Sequence, residues 1–142
     1  MPVVQHDRRN MALAQLDRAI ALYFENADFY SVITLAGAAD EIFGQILKAK
    51  GREPHLESIK TAVVEISRLG FGRVIEPSKV AERANFARNA LKHWSEGQPL
   101  IVDFDAAEEA KDMLERAISN YWALESRLSP NMERFHREIR AA

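Results

Sequence analysis

The stretch VITLAGAADEIFGQI, residues 32–46, is the most regular part of the sequence and decides the class of fold. Apolar residues recur in it at intervals of three and four, which is the period of an α-helix with one buried face. We predict a helix over residues 28–50, with Asp28 as its N-cap and Gly51 just after its end. The apolar stripe of this helix comprises Val32, Leu35, Ala36, Ala39, Ile42, Phe43 and Ile46.

Two glycines, Gly37 and Gly44, lie beside that stripe on a line that also carries Ile33 and Asp40. Each glycine inside a helix costs about 1 kcal/mol relative to alanine, so the pair requires an explanation. The sequence leaves two open: another helix approaches this line closely, or the line lies in a crowded part of the core.

Helical periodicity continues over nearly the whole chain, with breaks at glycine, proline and capping residues. The other predicted helices cover residues 5–25, 54–69 and 77–94, a fifth runs from a cap at Asp103 or Asp105 to about Leu128, and a short helix in the tail reaches Arg140. In the third predicted helix, Ile59, Val63 and Ile66 are expected to face inward. We therefore expect an all-α, up-and-down helical bundle of four to six helices. Residues 1–128 would form one domain, and residues 129–142 a basic C-terminal tail that is a short helix or partly disordered.

Composition narrows the classes of function. The chain has 142 residues, is 47% hydrophobic and carries a net charge of −2, which argues against a long groove that tracks nucleic-acid phosphates. It has no cysteine, which excludes disulfides, thiolate metal sites and cysteine nucleophiles. We expect a cytoplasmic protein without a signal peptide, membrane helix or cofactor.

The stretch FARNALKHW, residues 86–94, carries the residues of greatest chemical interest. On a helical wheel one arc faces the core and is expected to hold Val80, Ala84, Ala87, Leu91 and Trp94. A second line carries Asn85, Asn89 and His93, and an adjacent line carries Arg88 and Lys92. The face away from the core therefore offers two cations, two amides and one imidazole.

This set of groups suits metal-free cleavage of RNA, in which the 2′-hydroxyl attacks the adjacent phosphorus and leaves a 2′,3′-cyclic phosphate. Histidine titrates near neutral pH and can move the proton, while arginine supplies a fixed cation for the growing charge. Arg88 and His93 lie about 140° apart around one helix, so they would converge only if a second copy packed across a two-fold axis. By spacing alone, a solvated face with His93 as a C-terminal cation explains the pattern as well.

A metal site is not predicted. Glu133 and His136 have the E-x-x-H spacing of half a di-iron site, but the sequence has no second copy of that motif.

Two segments carry a resemblance to a known family. RNALKHW resembles the R-N-x3-H motif of HEPN domains, in which an aromatic residue often follows the histidine, and ITLAGAADEIF is similar to the second helix of small bacterial HEPN proteins. The resemblance covers about residues 8–128. It implies a dimeric helical bundle that cleaves RNA without metal, either as the toxin of a toxin–antitoxin pair beside a nucleotidyltransferase partner or in defence against phage.

Carried onto this sequence, the resemblance implies that Arg88 and His93 are catalytic and that Asn89 assists them. Lys92 and Asn85 would help to bind the substrate, together with an acidic residue of the earlier helix, for which Asp40 is preferred over Glu41. Trp94 would pack in the core or at a dimer interface rather than stack on a base.

Two alternatives remain at this point. The same fold can be a non-enzymatic dimeric module whose polar face binds a nucleotide or a protein partner. It can also be a structural bundle in which the arginine and the histidine are surface groups.

Overall fold

The computed structural model describes residues 1–141, which form seven α-helices and contain no strand. The helices are α1 (Arg8–Glu25), α2 (Phe29–Ala49), α3 (His55–Phe71), α4 (Pro77–Ala84), α5 (Phe86–Lys92), α6 (Ala106–Glu125) and α7 (Pro130–Ala141). The all-α prediction is confirmed. The described part of the chain has more helices than the four to six expected, because the helix predicted over residues 77–94 is two helices, α4 and α5.

Helix α2 lies at the centre, with α1 and α6 as its principal neighbours. Its buried apolar residues are Val32, Ile33, Ala36, Ala39, Phe43 and Leu47. Full burial of a large apolar side chain contributes about 1.5–3 kcal/mol, so this stripe supplies much of the stability of the bundle. Asp28 caps the helix as predicted, since its carboxylate accepts a hydrogen bond from the backbone N–H of Ser31 at 3.0 Å.

The C-terminal segment forms α7 and packs against α1. Met132 and Phe135 are fully buried, and they belong to the same hydrophobic core as the buried residues of α1, α2 and α6. The hydroxyl of Ser129 donates a hydrogen bond to the Asp17 carboxylate at 2.7 Å, which ties the start of α7 to α1. Of the two forms predicted for the tail, residues 130–141 take the helical one; residue 142 lies outside the described part of the chain.

Helix α3 lies at the edge of the bundle and has no buried residue. Its principal contacts are with α4 and α6. Ile59 and Val63 are half-buried, but Ile66 is 62% exposed, so the prediction that Ile66 faces inward is wrong. The spacing of apolar residues in α3 is that of a helix, as expected, but no other helix within residues 1–141 covers the face that carries Ile66 in its C-terminal half.

The chain changes direction at both ends of α5. Asn85, with φ −103° and ψ 4°, separates α4 from α5, and His93 is extended, with φ −132° and ψ 135°. The helical wheel therefore stops applying after Lys92. Val80 and Ala87 are buried as predicted, but Trp94 is 57% exposed, so its predicted place in the core is wrong.

Within residues 1–141, none of the helices is long and apolar enough to cross a membrane.

Candidate functional site

The start of α5 is held by Arg116 of α6. One guanidinium nitrogen, Nη1, donates to the carbonyl oxygen of Ala84 at 3.1 Å and to Oδ1 of Asn85 at 2.9 Å. The carbonyl groups at a helix C-terminus have no partner within the helix, so this contact satisfies one of them at the end of α4. Arg116 thereby fixes the break from which α5 begins.

The same arginine pairs with Asp40 of α2 in the interior of the bundle. Arg116 Nη2 donates to Asp40 Oδ2 at 2.8 Å, and Asn120 Nδ2 donates to Asp40 Oδ1 at 3.0 Å. Asn120 Oδ1 in turn accepts a hydrogen bond from the backbone N–H of His55 at 2.8 Å. All three side chains, those of Asp40, Arg116 and Asn120, are buried, so this cluster joins α2, α6 and the start of α3.

Burial dominates the electrostatics of the cluster. It raises the pKa of the Asp40 carboxyl, while the guanidinium groups of Arg116 and Arg88 act in the opposite direction. Burial also lowers the pKa of Arg116, and Asp40 opposes that change. Each charge is therefore tolerated in the interior because the other is present, and removing one would leave the other uncompensated.

Arg88 reaches the mouth of this cluster from α5. Its Nη1 lies 3.9 Å from Asp40 Oδ2 and 3.6 Å from Glu41 Oε2, and its side chain is only 16% exposed. The aliphatic part of Arg88 lies against Gly37, where an added Cβ would come within 2.7 Å of Arg88 Cδ. The close approach at Gly37 is therefore made by a side chain, and the missing Cβ provides its space. At Gly44 an added Cβ would meet only ordinary contacts, at 3.6 Å.

Lys92 lies one turn further along α5, on the same side as Arg88. Both line a small hollow of about 80 Å³ together with Thr34 and Ala38 of α2. Lys92 itself is exposed. The hollow therefore combines one arginine fixed by carboxylates with one solvated lysine.

Asn89 and His93 open into a different hollow, which we call the aromatic groove. It has a volume of about 370 Å³ and lies between α5 and the loop that follows it. Its walls include Phe86, Asn89, His93, Trp94, Leu100 and Val102. Both Asn89 and His93 are exposed to solvent.

Five of the six predicted site residues thus fall into two groups, and the sixth, Lys92, lines the small hollow that it shares with Arg88. Asp40, Asn85 and Arg88 belong to the polar cluster beneath α5, whereas Asn89 and His93 line the aromatic groove. Arg88 and His93 open into different hollows, so one chain alone does not present them to the same point, as their angular separation predicts.

Arg116 and Asn120 were not predicted as part of the site. They lie four residues apart on α6, within the buried stripe of Met113, Leu114, Ala117, Ile118 and Tyr121. Two polar residues at helical spacing inside an apolar stripe are a sequence signal for a buried polar cluster.

A cavity of a size similar to the aromatic groove lies elsewhere, between α3, α4 and α6. Its volume is about 400 Å³, and its lining includes Arg83, Glu109 and Asp112. Arg83 Nη1 lies 3.4 Å from Glu109 Oε1, and burial raises the pKa of Asp112. Among the predicted site residues none lines this cavity; it shares only Arg116 with the polar cluster.

The chain matches no protein family, no curated protein and no solved structure. Among residues 1–141, no group of three or more histidine, cysteine, aspartate or glutamate side chains is arranged to hold a metal ion.

Proposed function

We propose that this protein is a metal-independent endoribonuclease of the HEPN type that acts as a homodimer. The observation that supports it is the make-up of α5. Within six residues this short helix and its C-cap present Arg88, held by two carboxylates, and the exposed imidazole of His93. A fixed cation and a titratable proton carrier are the two groups that the reaction needs.

In the proposed reaction the O2′ atom of a ribose bonds to the adjacent phosphorus, and the bond from phosphorus to O5′ breaks. His93 takes the proton from the attacking hydroxyl while water protonates the leaving O5′, or His93 protonates O5′ while water takes the hydroxyl proton. Arg88 of the other copy stabilises the charge on the non-bridging phosphate oxygens. Asn89 orients the phosphate, and Lys92 adds attraction for the RNA backbone. The products are a 2′,3′-cyclic phosphate and a 5′-hydroxyl.

The resemblance to HEPN domains also suggests a biological setting. The protein would be the toxin of a toxin–antitoxin pair with a nucleotidyltransferase-type antitoxin, or a defence protein. Leu69 and Phe71 at the end of α3 are exposed apolar side chains, and this exposure supports a partner that covers them.

A second candidate function is a non-enzymatic dimeric module that binds a nucleotide or a protein partner. The observation that favours it is the environment of Arg88. Its side chain is largely covered and lies within ion-pair distance of both Asp40 and Glu41, so its charge is compensated without any substrate. An arginine in that setting can serve the fold alone.

The test is a cleavage assay on total RNA and tRNA in the presence of EDTA. Wild type, His93→Ala and Arg88→Ala are compared, and the chemistry of the product ends is determined. We expect wild type to leave 2′,3′-cyclic phosphates and His93→Ala to lose about 10²–10⁴-fold in rate, which is the usual contribution of general acid–base catalysis. Arg88→Ala should lose a comparable factor, because it removes the cation that stabilises the transition state.

Matched controls are His6→Ala, which removes another exposed histidine, and Arg83→Ala, which removes an exposed arginine that pairs with Glu109. Both should cleave as wild type does. Cleavage by His93→Ala at the wild-type rate would refute the assignment. Absence of cleavage by every form, with all forms folded, would favour the binding module.

A further inference from the structure

The aromatic groove exposes ring surface that the fold leaves uncovered. Trp94 is 57% exposed and Phe86 is 39% exposed, although both belong to the largest apolar side chains. The apolar wall continues with Leu100 and Val102, which are also exposed. Contiguous apolar surface of this kind is typical of a binding site.

The ring of Trp94 is held in place by its own loop. Its Nε1–H donates to the carbonyl oxygen of Gln98 at 3.3 Å, and the backbone N–H of Ser95 donates to Oε1 of Gln98 at 2.9 Å. The indole N–H therefore already has a partner. What remains available to a ligand is the flat face of a ring whose orientation is set before binding.

The polar groups around the groove favour a nucleotide over an apolar peptide. Asn89 contributes an amide that can both donate and accept hydrogen bonds, as the edge of a base requires. Lys92 opens into the neighbouring hollow that it shares with Arg88, and as an exposed cation it adds attraction for the backbone of a bound strand. The acidic residue at the groove, Glu82, lies 3.2 Å from the ammonium group of Lys79, which offsets its charge.

We infer that the aromatic groove binds one unpaired base of an RNA strand, stacked against Trp94. The inference rests on the proposed function and specifies its substrate as single-stranded RNA. His93 lines the same groove, so the ribose attached to the bound base lies next to the imidazole. The volume of about 370 Å³ is sufficient for a base and its sugar.

The chain offers a direct probe, because it has only two tryptophans, Trp94 and Trp122. In a Trp122→Phe protein all tryptophan emission comes from Trp94. The titrant is a single-stranded oligonucleotide with 2′-O-methyl groups, which cannot be cleaved because its attacking hydroxyls are blocked. We expect it to quench the emission of Trp94, and we expect much weaker quenching by the same sequence in a duplex or by an abasic strand.

Affinity variants complete the experiment. Stacking of a base on an aromatic ring predicts that Trp94→Leu weakens binding of the single strand about 5- to 150-fold. Trp122→Leu is the matched control, since Trp122 is similarly exposed, at 53%, but lies on α6 outside the groove. Its affinity should equal that of wild type.

The outcomes separate this inference from the proposed function. If the strand binds without quenching Trp94 and Trp94→Leu binds it equally well, the groove is not a base site, while cleavage that depends on His93 would still stand. If Trp94 is quenched but no RNA is cleaved, the base site stands and the nuclease does not. If the emission of Trp94 changes with protein concentration but not with added oligonucleotide, a second copy of the protein covers the groove, and the inference is overturned. If the strand does not bind at all, the inference is overturned as well.

Discussion

At the scale of single residues, the pair of Gly37 and Arg88 determines where the proposed catalytic cation lies. Any side chain at position 37 would occupy the space of the Arg88 stem, whose Cδ and Cγ lie 2.7 and 3.0 Å from the site of an added Cβ. Glycine therefore allows the arginine to lie flat on α2 and to reach Asp40 and Glu41. Glycine lowers the helical propensity at this position, and the packing of the Arg88 stem in the space of the missing Cβ offsets that cost.

The prediction at this scale compares two alanine substitutions on one face of α2. Gly37→Ala gains about 1 kcal/mol in helical propensity but displaces Arg88, so its free energy of unfolding should change little and its RNA cleavage should fall toward that of Arg88→Ala. Gly44→Ala meets only contacts of 3.6 Å, so it should raise the free energy of unfolding by about 1 kcal/mol and keep full cleavage. Urea unfolding and the cleavage assay measure both effects. Wild-type cleavage by Gly37→Ala would show that the observed place of Arg88 is not the one the reaction uses.

At the scale of secondary-structure elements, α5 is too short to be stable alone and takes its position from its neighbours. Its start is held by Arg116, which bonds to Ala84 and Asn85 and at the same time to Asp40 of α2. Arg116 therefore positions α5 without taking part in the proposed chemistry.

Arg116→Met tests this role. It leaves the Asp40 carboxylate buried without its closest cation, and we expect a loss of about 3–5 kcal/mol in the free energy of unfolding. The added change Asp40→Asn should restore part of that loss, because it removes the uncompensated charge. Equal stability of the single and double variants would contradict this account.

The stability of Arg116→Met should also depend on pH. Burial already raises the pKa of Asp40, and Arg116 opposes that shift, so its removal raises the pKa further. A carboxyl whose pKa is raised by folding favours the folded state below its unfolded pKa, and this contribution is lost as the pH rises through the folded pKa. As the pH falls toward about 4, the ordinary pKa of an aspartate, the loss of stability of Arg116→Met relative to wild type should therefore become smaller, measured by urea unfolding.

The same elements show how far the sequence alone could lead. Local periodicity correctly predicted α1, α2 and α6 and the burial of Val80 and Ala87, because those features depend on one helix and one neighbour. It failed at Trp94, because the helix ends at Lys92 and the extended backbone of His93 turns the next side chain out of the wheel. The prediction from periodicity failed at Ile66, because an amphipathic period gives the apolar face of a helix but not whether a neighbouring helix covers the whole length of that face.

At the scale of the whole molecule, the proposed site requires two copies. Arg88 and His93 open into different hollows of one chain, so the reaction as proposed needs Arg88 of one protomer and His93 of its partner. Two equivalent sites would then form around a two-fold axis, and each would contain Arg88 of one protomer and His93 of the other.

This arrangement predicts complementation between inactive variants. Arg88→Ala and His93→Ala are each expected to be inactive, but a heterodimer of the two contains one site with both residues intact. Equal mixing after subunit exchange should restore about one quarter of wild-type cleavage, because about half of the dimers are mixed and each has one intact site of two. Subunit exchange is verified by sedimentation with one labelled variant. If verified heterodimers remain inactive, both residues act from the same chain or from neither.

The cover over Arg88 also has a consequence for the entropy of substrate binding. A long cationic side chain loses up to about 2 kcal/mol of rotational freedom when it is immobilised. For Arg88 that loss occurs during folding, since its stem lies against Gly37 and its guanidinium near two carboxylates. Exposed Lys92 would lose its freedom only on contact with RNA. The two cations of α5 would therefore have different roles. Arg88, whose position is fixed, would select the geometry of the phosphate, and Lys92 would attract the phosphate with little dependence on its orientation.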